Sequence, residues 1–535
     1  MAKNTIYFDS YAHIGRRAGK DILAPWGTET LVSELERCSI HGALITAHVG
    51  SEVHPDVGNP LVDEACREHE RLYACWVGVP HHTGEFPKPS QLIEQMRAKE
   101  VCALKLYPRA FNFSVDALTL DSLLDALQSE GIPLLIECGQ AGSLREQISW
   151  AEVQWICKSY PRLNLLLQAV RFDATRRLLP LLRAFPNLHI ECSNYQANGL
   201  LEQLCSDIGP EQLLFGTEAL EKSIGAARAF IDYSDLTETQ RTAIAGGNLA
   251  RLLKVDLPKP YAKPSQVDAV LDRAMDGLPI EDSIVIDSHA HFLKKGSKGA
   301  GAVYMGNSDV KGLVERNRRL GVKISCGSSW TAIVTDYELG NHDAAEGLVD
   351  FPEEFVAYAA LDPNYVTDWD RELRYWYEEK GCRGIKPYFP RMGIPYNDPR
   401  FDPWWEYGNR HHLFAKMHMS DNFTEEMRDL AVRFPNVNFL LAHSGWTWPV
   451  CREHIEIARA HPNCFLEITF TSVTHGTIEY MVEQLGSERV VYGSDAPMRD
   501  PIPQFGWVVY ADISEQDKRN ILGLNMQKIL NAVQF

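Results

Sequence analysis

Short apolar runs alternate with longer stretches of helical period along the whole chain. In the second half, the runs that read as strands are Ile284–His289, Lys323–Cys326 or Ala332–Val334, Phe355–Ala360, Gly384–Tyr388, Leu413–His418, Asn438–His443, Cys464–Ile468 and Val490–Ser494. Helical patterns lie between them. Over Thr424–Phe434, for example, Met427, Leu430, Ala431 and Phe434 fall at i, i+3, i+4 and i+7, along one face of a helix. The first half gives the same count. Eight strand–helix units in about 250 residues predict an α/β fold of the (β/α)8 type rather than an open doubly wound sheet. No GxGxxG follows a first strand, so a dinucleotide fold has no support.

The two halves also match each other. Ile6–His13 (IYFDSYAH) corresponds to Ile284–His291 (IVIDSHAH), Ala103–Tyr107 to Gly384–Tyr388, and Pro161–Asn164 to Pro435–Asn438. Phe215–Glu218 corresponds to Tyr492–Asp495, the helix start Thr237–Gln240 to Ser514–Asp517, and Asn248 to Asn525. Six anchors keep their order at offsets of 274 to 281 residues, which predicts one barrel duplicated in tandem. The expected division is a first TIM-type barrel over 1–257, a Pro-rich linker with a short helix over 258–282, and a second barrel over 283–535.

Composition narrows the partners. The chain carries 53 Lys+Arg against 71 Asp+Glu, a net charge of −18, which repels nucleic-acid backbones and anionic membranes. No apolar leader or spanning run is visible. Twelve scattered cysteines without a CxxC pair read as reduced thiols, so a cytoplasmic protein is expected.

Chemistry concentrates where the predicted strands of the second half end. These ends carry His289-Ala290-His291, Lys416-Met417-His418, Leu441-Ala442-His443 and Gly493-Ser494-Asp495. The spacing of His289 and His291 turns both imidazoles to one face, and barrels of this type place their sites at the C-terminal strand ends. Four histidines and an aspartate converging there predict a site for one divalent metal ion, Zn2+ first and Mn2+ second. Such an ion supplies Lewis acidity and an activated water.

These motifs, with Gly384-Ile385-Lys386 and Tyr492–Pro497, make Ile284–Leu530 resemble the amidohydrolase superfamily. The closer likeness is to the branch that includes aminocarboxymuconate-semialdehyde decarboxylase and related lactonases. The resemblance implies that His289, His291 and His418 hold the metal, that Asp495 is a further ligand or base, and that His443 serves acid–base chemistry near the reacting water. It implies a hydrolase acting on an ester, lactone or amide, with non-oxidative decarboxylation of a small aromatic or unsaturated acid as the alternative. A Glu after the His-x-Gly is common among the decarboxylases of the branch. Here Trp446 follows His443-Ser444-Gly445, which leans toward hydrolysis.

In the first half the ligand set is broken: Tyr11 stands for His289, Cys138 for His418, Ala169 for His443 and Glu218 for Asp495, and His13 alone is kept. A non-catalytic copy is expected. Since branch members often dimerise, it would serve as an internal pseudo-dimer partner, with a homo-oligomer also open. Arg16, Arg17 and Arg109 are candidates to reach from it into the second barrel's site. Lys386 invites a carboxylated-lysine, two-metal reading. Lys105 fills the same place where ligands are missing, so a structural or anion-facing lysine and one metal are expected. For an anionic substrate the candidate contacts are Lys386, Tyr388, Arg391, Arg499, Trp446 and the loop Lys294–Gly299, with Trp330, Trp404 and Trp448 as further walls. His342, His411 and His412 lie off the strand ends and are not expected to be ligands.

Overall fold

The structure, a computed structural model, describes residues 5–19, 21–139, 146–260, 267–294 and 303–535. The chain divides into two compact units, Met1–Gln196 with Leu200–Gln266, and Ala197–Gly199 with Val267–Phe535. The first contains eight parallel strands in sequential order: β1 Phe8–Ile14, β2 Gly42–Ala47, β3 Leu72–Gly78, β4 Ala103–Leu106, β5 Leu134–Glu137, β6 Leu165–Gln168, β7 Leu188–Glu191 and β8 Leu213–Leu214. The second repeats the order with β9 Val285–Phe292, β10 Val322–Ser329, β11 Phe355–Ala359, β12 Gly384–Ile385, β13 Phe414–Met417, β14 Asn438–Leu441, β15 Cys464–Ile468 and β16 Val490–Tyr492. Parallel bridges Ala12↔Ala219 and Ala290↔Ala496 join the last strand's end to the first, closing each sheet into a barrel.

Burial explains the strand composition. Helices cover the outer face and side chains fill the inner one, so the strands read as apolar runs rather than alternating ones. Ile286, Cys326, Tyr358, Phe414, Leu440 and Val491 form one apolar cluster with Met526 and Ile529 of the last helix. Phe8, Leu44, Cys75, Ala103, Leu135, Leu166 and Leu214 do the same with Leu249 and Leu253. The duplication reaches irregular details. Thr237 and Ser514 each cap a short helix that runs into a π-turn, Ala243–Gly247 and Asn520–Leu524. Asn248 and Asn525 each donate to two backbone carbonyls near the last strand.

Two sequence expectations change. The second strand of the second barrel is Val322–Ser329, and Ala332–Val334 belongs to a helix, Trp330–Val334, packed on Ala360. Polar Gly327-Ser328-Ser329 continues the strand because its backbone pairs with Ala290, His291 and Phe292. From Val267 onward the stretch read as linker packs on the second unit. Asp268 accepts from Lys518 Nζ at 2.6 Å, and Ala269 N–H donates to Glu515 at 3.1 Å.

Candidate metal centre

Strand β9 brings the first two histidines in. Ser325 pairs with Asp287 and Gly327 with Ala290, so three residues on β9 oppose two on β10, a bulge at Ser288–His289. The first barrel has the same bulge after Asp9. Asp287 holds it by accepting from His289 N–H at 3.0 Å, from Ser494 N–H at 3.0 Å and from Ser494 Oγ at 2.5 Å. Asp9 repeats these contacts with Tyr11 and Thr217, so this aspartate belongs to the framework of both barrels. Burial pushes Asp287 and Asp9 alike up to about 6.

The ligand atoms of His289, His291 and Asp495 lie within 4.8 Å of one another, and so do those of His289, His443 and Glu467. Asp495 Oδ1 is 3.0 Å from His291 Nε2 and 3.8 Å from His289 Nε2. The His418 ring is 5.1 Å from that of His289 and 4.9 Å from that of His443. Three of the four imidazoles are held at Nδ1, by Glu467 Oε2 at 3.1 Å for His289, Ser328 Oγ at 3.0 Å for His291 and Thr469 O at 3.1 Å for His443. Fixing one ring nitrogen leaves Nε2 to bind an ion. His418 Nδ1 is buried with no hydrogen-bond partner among the described residues. Burial, then nearby Lys386 or Arg499, holds all four histidines well below the ordinary imidazole range. Their lone pairs are therefore available at neutral pH, and the residues present suit a divalent cation.

His443 and Asp495 have φ of 64° and 59°, in the left-handed region. Ala169 and Glu218 hold the same places in the first barrel at 54° and 56°. The turns at Asp495 and Glu218 thus serve barrel closure, since Asp495 N–H donates to His289 O and Glu218 N–H to Tyr11 O.

Glu467, on β15, escapes the sequence reading. It sits in the apolar run Leu466-Glu467-Ile468 and resembles one more strand residue. The available signal was its repetition as Glu191 on β7. It is fully buried and accepts from His289, His443 N–H and Thr469 Oγ1.

Several proposed substrate contacts are engaged by the protein's own side chains. Arg499 is buried, with its guanidinium against Asp495 Oδ2 and Thr471 and its cation 4.8 Å from the Phe470 ring, so it holds Asp495. Lys386 is buried beneath the cluster, Nζ 3.4 Å from His289 Nε2, and burial lowers its pKa well below the ordinary value. Trp404 and Trp448 are packed into the protein, because a whole indole buried among rings outweighs one turned to water. Tyr388 and Trp330 do border the site, their rings 5.0 Å from His418 and 5.4 Å from His291. Trp446 is exposed at the rim and packs on Phe470, which meets His443 at 5.2 Å. Arg391, one turn beyond Tyr388, lines a cavity of ≈330 Å³ with Ile333, Asp336, Asp362 and Tyr365. Lys294 pairs with Asp343 and Glu346, and Lys295–Gly299 lie outside the described residues. His342 packs on Tyr375 and Trp376, and His411 bonds Gln534 O, away from the cluster.

The first barrel's mouth is organised around an internal cation. Lys105 Nζ donates to Glu137 at 2.8 Å and lies 4.7 and 4.9 Å from the Tyr11 and Tyr107 rings. His13 keeps its hydroxyl partner, Thr46 at 2.8 Å. Glu218 is held by Asn194 at 2.7 Å and Lys222 at 3.3 Å. Burial pushes the Cys138 thiol up to about 12, which suppresses the thiolate a metal needs. Among the described residues this barrel brings no three metal-ligand atoms together. Arg16, Arg17 and Arg109 are engaged within their own unit, with Trp26, Glu221 and Glu152.

Residues 286–531 match the sequence model of a family described as Amidohydrolase. No curated protein matches the chain. Among solved structures, 2,6-dihydroxybenzoate decarboxylase from Rhizobium is similar at 16% identity, covering 47% of this chain and 99% of that one, with a TM-score of 0.36. A 5-carboxyvanillate decarboxylase from Novosphingobium aromaticivorans, complexed with manganese and 4-hydroxy-3-methoxy-5-nitrobenzoic acid, is similar at 14%, covering 46% and 96%, with a TM-score of 0.36. A 4-oxalomesaconate hydratase from Rhodopseudomonas palustris is similar at 15%, covering 46% and 96%, with a TM-score of 0.35. The family match runs from β9 into the final helix, Asn525–Ala532, and includes every histidine of the cluster and Asp495, so the second barrel belongs to the amidohydrolase family of enzymes.

Proposed function

We propose that the second barrel is a metal-dependent hydrolase that opens an ester, lactone or amide bond of a small anionic molecule. His289, His291, His418 and Asp495 would hold one divalent ion, Zn2+ or Mn2+, which when bound supplies Lewis acidity and an acidified water. Asp495 Oδ1, beside both His289 and His291, takes the proton from the attacking water and returns it to the leaving group. Arg499 occupies the other carboxylate oxygen and keeps Oδ1 aimed inward. His443 donates Nδ1–H to Thr469 O, so its Nε2 faces the reacting carbonyl as an acid–base group.

The observation that carries the anionic substrate is the charge balance. Buried Asp287, Glu467 and Asp495 face buried Lys416 and Arg499, while burial holds Lys386 well below the ordinary lysine range. A dication then adds positive charge in a dry site, which a substrate carboxylate offsets. The same balance suits a carboxylate destined to leave as CO2, so decarboxylation is the second reading. The test offers metal-loaded protein lactones, esters and aromatic acids, following acid release by pH-stat and CO2 separately. Hydrolysis predicts acid without CO2, abolished in Asp495→Ala; CO2 from an aromatic or unsaturated acid, with no lactone turnover, selects decarboxylation.

We further propose that the first barrel is non-catalytic and that the enzyme works in the cytoplasm. Twelve cysteines, none of them in a disulfide among the described residues and ten of them buried, support a reducing compartment. Metal analysis should give about one ion per chain, lost in His289→Ala/His291→Ala; about two would return the first barrel or Lys386 to consideration.

A further inference from the structure

The duplicated barrels compare one framework with and without a ligand set. Lys416, on β13, is fully buried. Its Nζ donates to Ser288 Oγ at 3.3 Å and lies 3.8 Å from Glu467 Oε2. That same oxygen accepts His289 Nδ1–H at 3.1 Å and His443 N–H at 3.2 Å. The ammonium thus spans from the strand carrying the first two histidines to the strand carrying the carboxylate that orients one of them.

The first barrel keeps both ends of this span. Ser10 stands for Ser288 and Glu191 for Glu467, each buried. Leu135 stands for Lys416 on β5, since it pairs with Leu166 as Lys416 pairs with Leu440, and Tyr11 stands for His289. There Ser10 Oγ donates to Phe215 O at 2.7 Å, and Glu191 accepts from Ser193 N–H and from Ala169 N–H at 3.3 Å. The framework therefore folds with an aliphatic side chain at this position. The lysine is absent where the imidazole is absent, although its serine and glutamate neighbours remain.

We propose that Lys416 is a positioning residue of the metal centre. Its ammonium fixes the Glu467 carboxylate so that Oε2 takes the Nδ1–H of His289 and Nε2 is presented to the ion. The assignment rests on reading the cluster as a metal site. Charge alone gives the opposite expectation, because deleting an ammonium near a bound dication tightens binding. The sign of the change therefore decides between the two.

The experiment measures zinc and cobalt(II) affinity of the full chain by competition with a chromogenic chelator, with the visible spectrum of the cobalt form as a second readout. Lys416→Met is expected to weaken binding roughly 10–100-fold and to shift the cobalt bands. Lys416→Met/Glu467→Gln is expected to be no weaker than Glu467→Gln alone, since the two side chains act as one unit. If Lys416→Met does not fold, Lys416→Gln, which keeps a donor toward Ser288 and Glu467 without the charge, is read by the same criteria. Equal or tighter binding by the folded variant overturns the assignment, as do fully additive losses in the double variant. A wild type that takes up no ion overturns the metal reading itself, and this assignment with it.

Discussion

Proton competition tests the cluster without altering a side chain. An imidazole must be neutral to ligate, so three ordinary histidines of pKa near 6.5 would lose metal affinity roughly 50-fold between pH 7.5 and 6.0, about 2.4 kcal/mol. In this protein burial, then the Lys386 ammonium, disfavours the imidazolium form of His289, His291 and His418. Their pKa values lie well below 6.5, so the three rings stay neutral across that window and have few protons to lose. The expected fall is under about 3-fold, part of it from Asp287, which titrates near 6 and accepts from the His289 N–H. The assay is competition with a chelator whose own proton affinity is known, at half-unit steps of pH. A fall of 50-fold or more would refute the claim that the ligands are held neutral by burial among lysines.

Other outcomes follow from the packing. A methyl at Gly493 would collide with Glu467, His289 and Thr469, so Gly493→Ala should lose metal binding; Gly216→Ala, which meets Glu191, should lower stability by about 1–3 kcal/mol and leave metal content unchanged. Asn525→Ala removes two buried donors, to Ser487 O and Val490 O, and should destabilise the second barrel by about 1–3 kcal/mol, with Asn248→Ala doing the same to the first; denaturation of each variant would show whether either residue holds its barrel. Burial lowers His454 to about 3, while in the unfolded chain it titrates near 6.5. Its neutral burial therefore stabilises fully above 6.5, and that contribution is lost as pH falls toward 3, about 2 kcal/mol of it by pH 5. His454→Leu should flatten the pH dependence of unfolding by that amount, and an unchanged slope would contradict it.

Much was legible in the chain because it depends on local order. Strand and helix periods, the duplicated anchors and the step from His289 to His291 are short-range patterns, and an eight-unit α/β chain has few ways to close. Residues whose roles depend on neighbours distant in sequence were not legible. Glu467 reads as one polar residue in a strand until closure sets it 3.1 Å from an imidazole 178 positions away. Arg499 reads as a free cation after a strand until its turn lays it on Asp495. Trp404 and Trp448 look like pocket walls but are packed into the protein. Side-chain pattern along the chain determined which residues stand at the strand ends. Only the closed barrel decided which of them meet, because a charge or ring leaves water only where its partners, drawn from several strands, already wait.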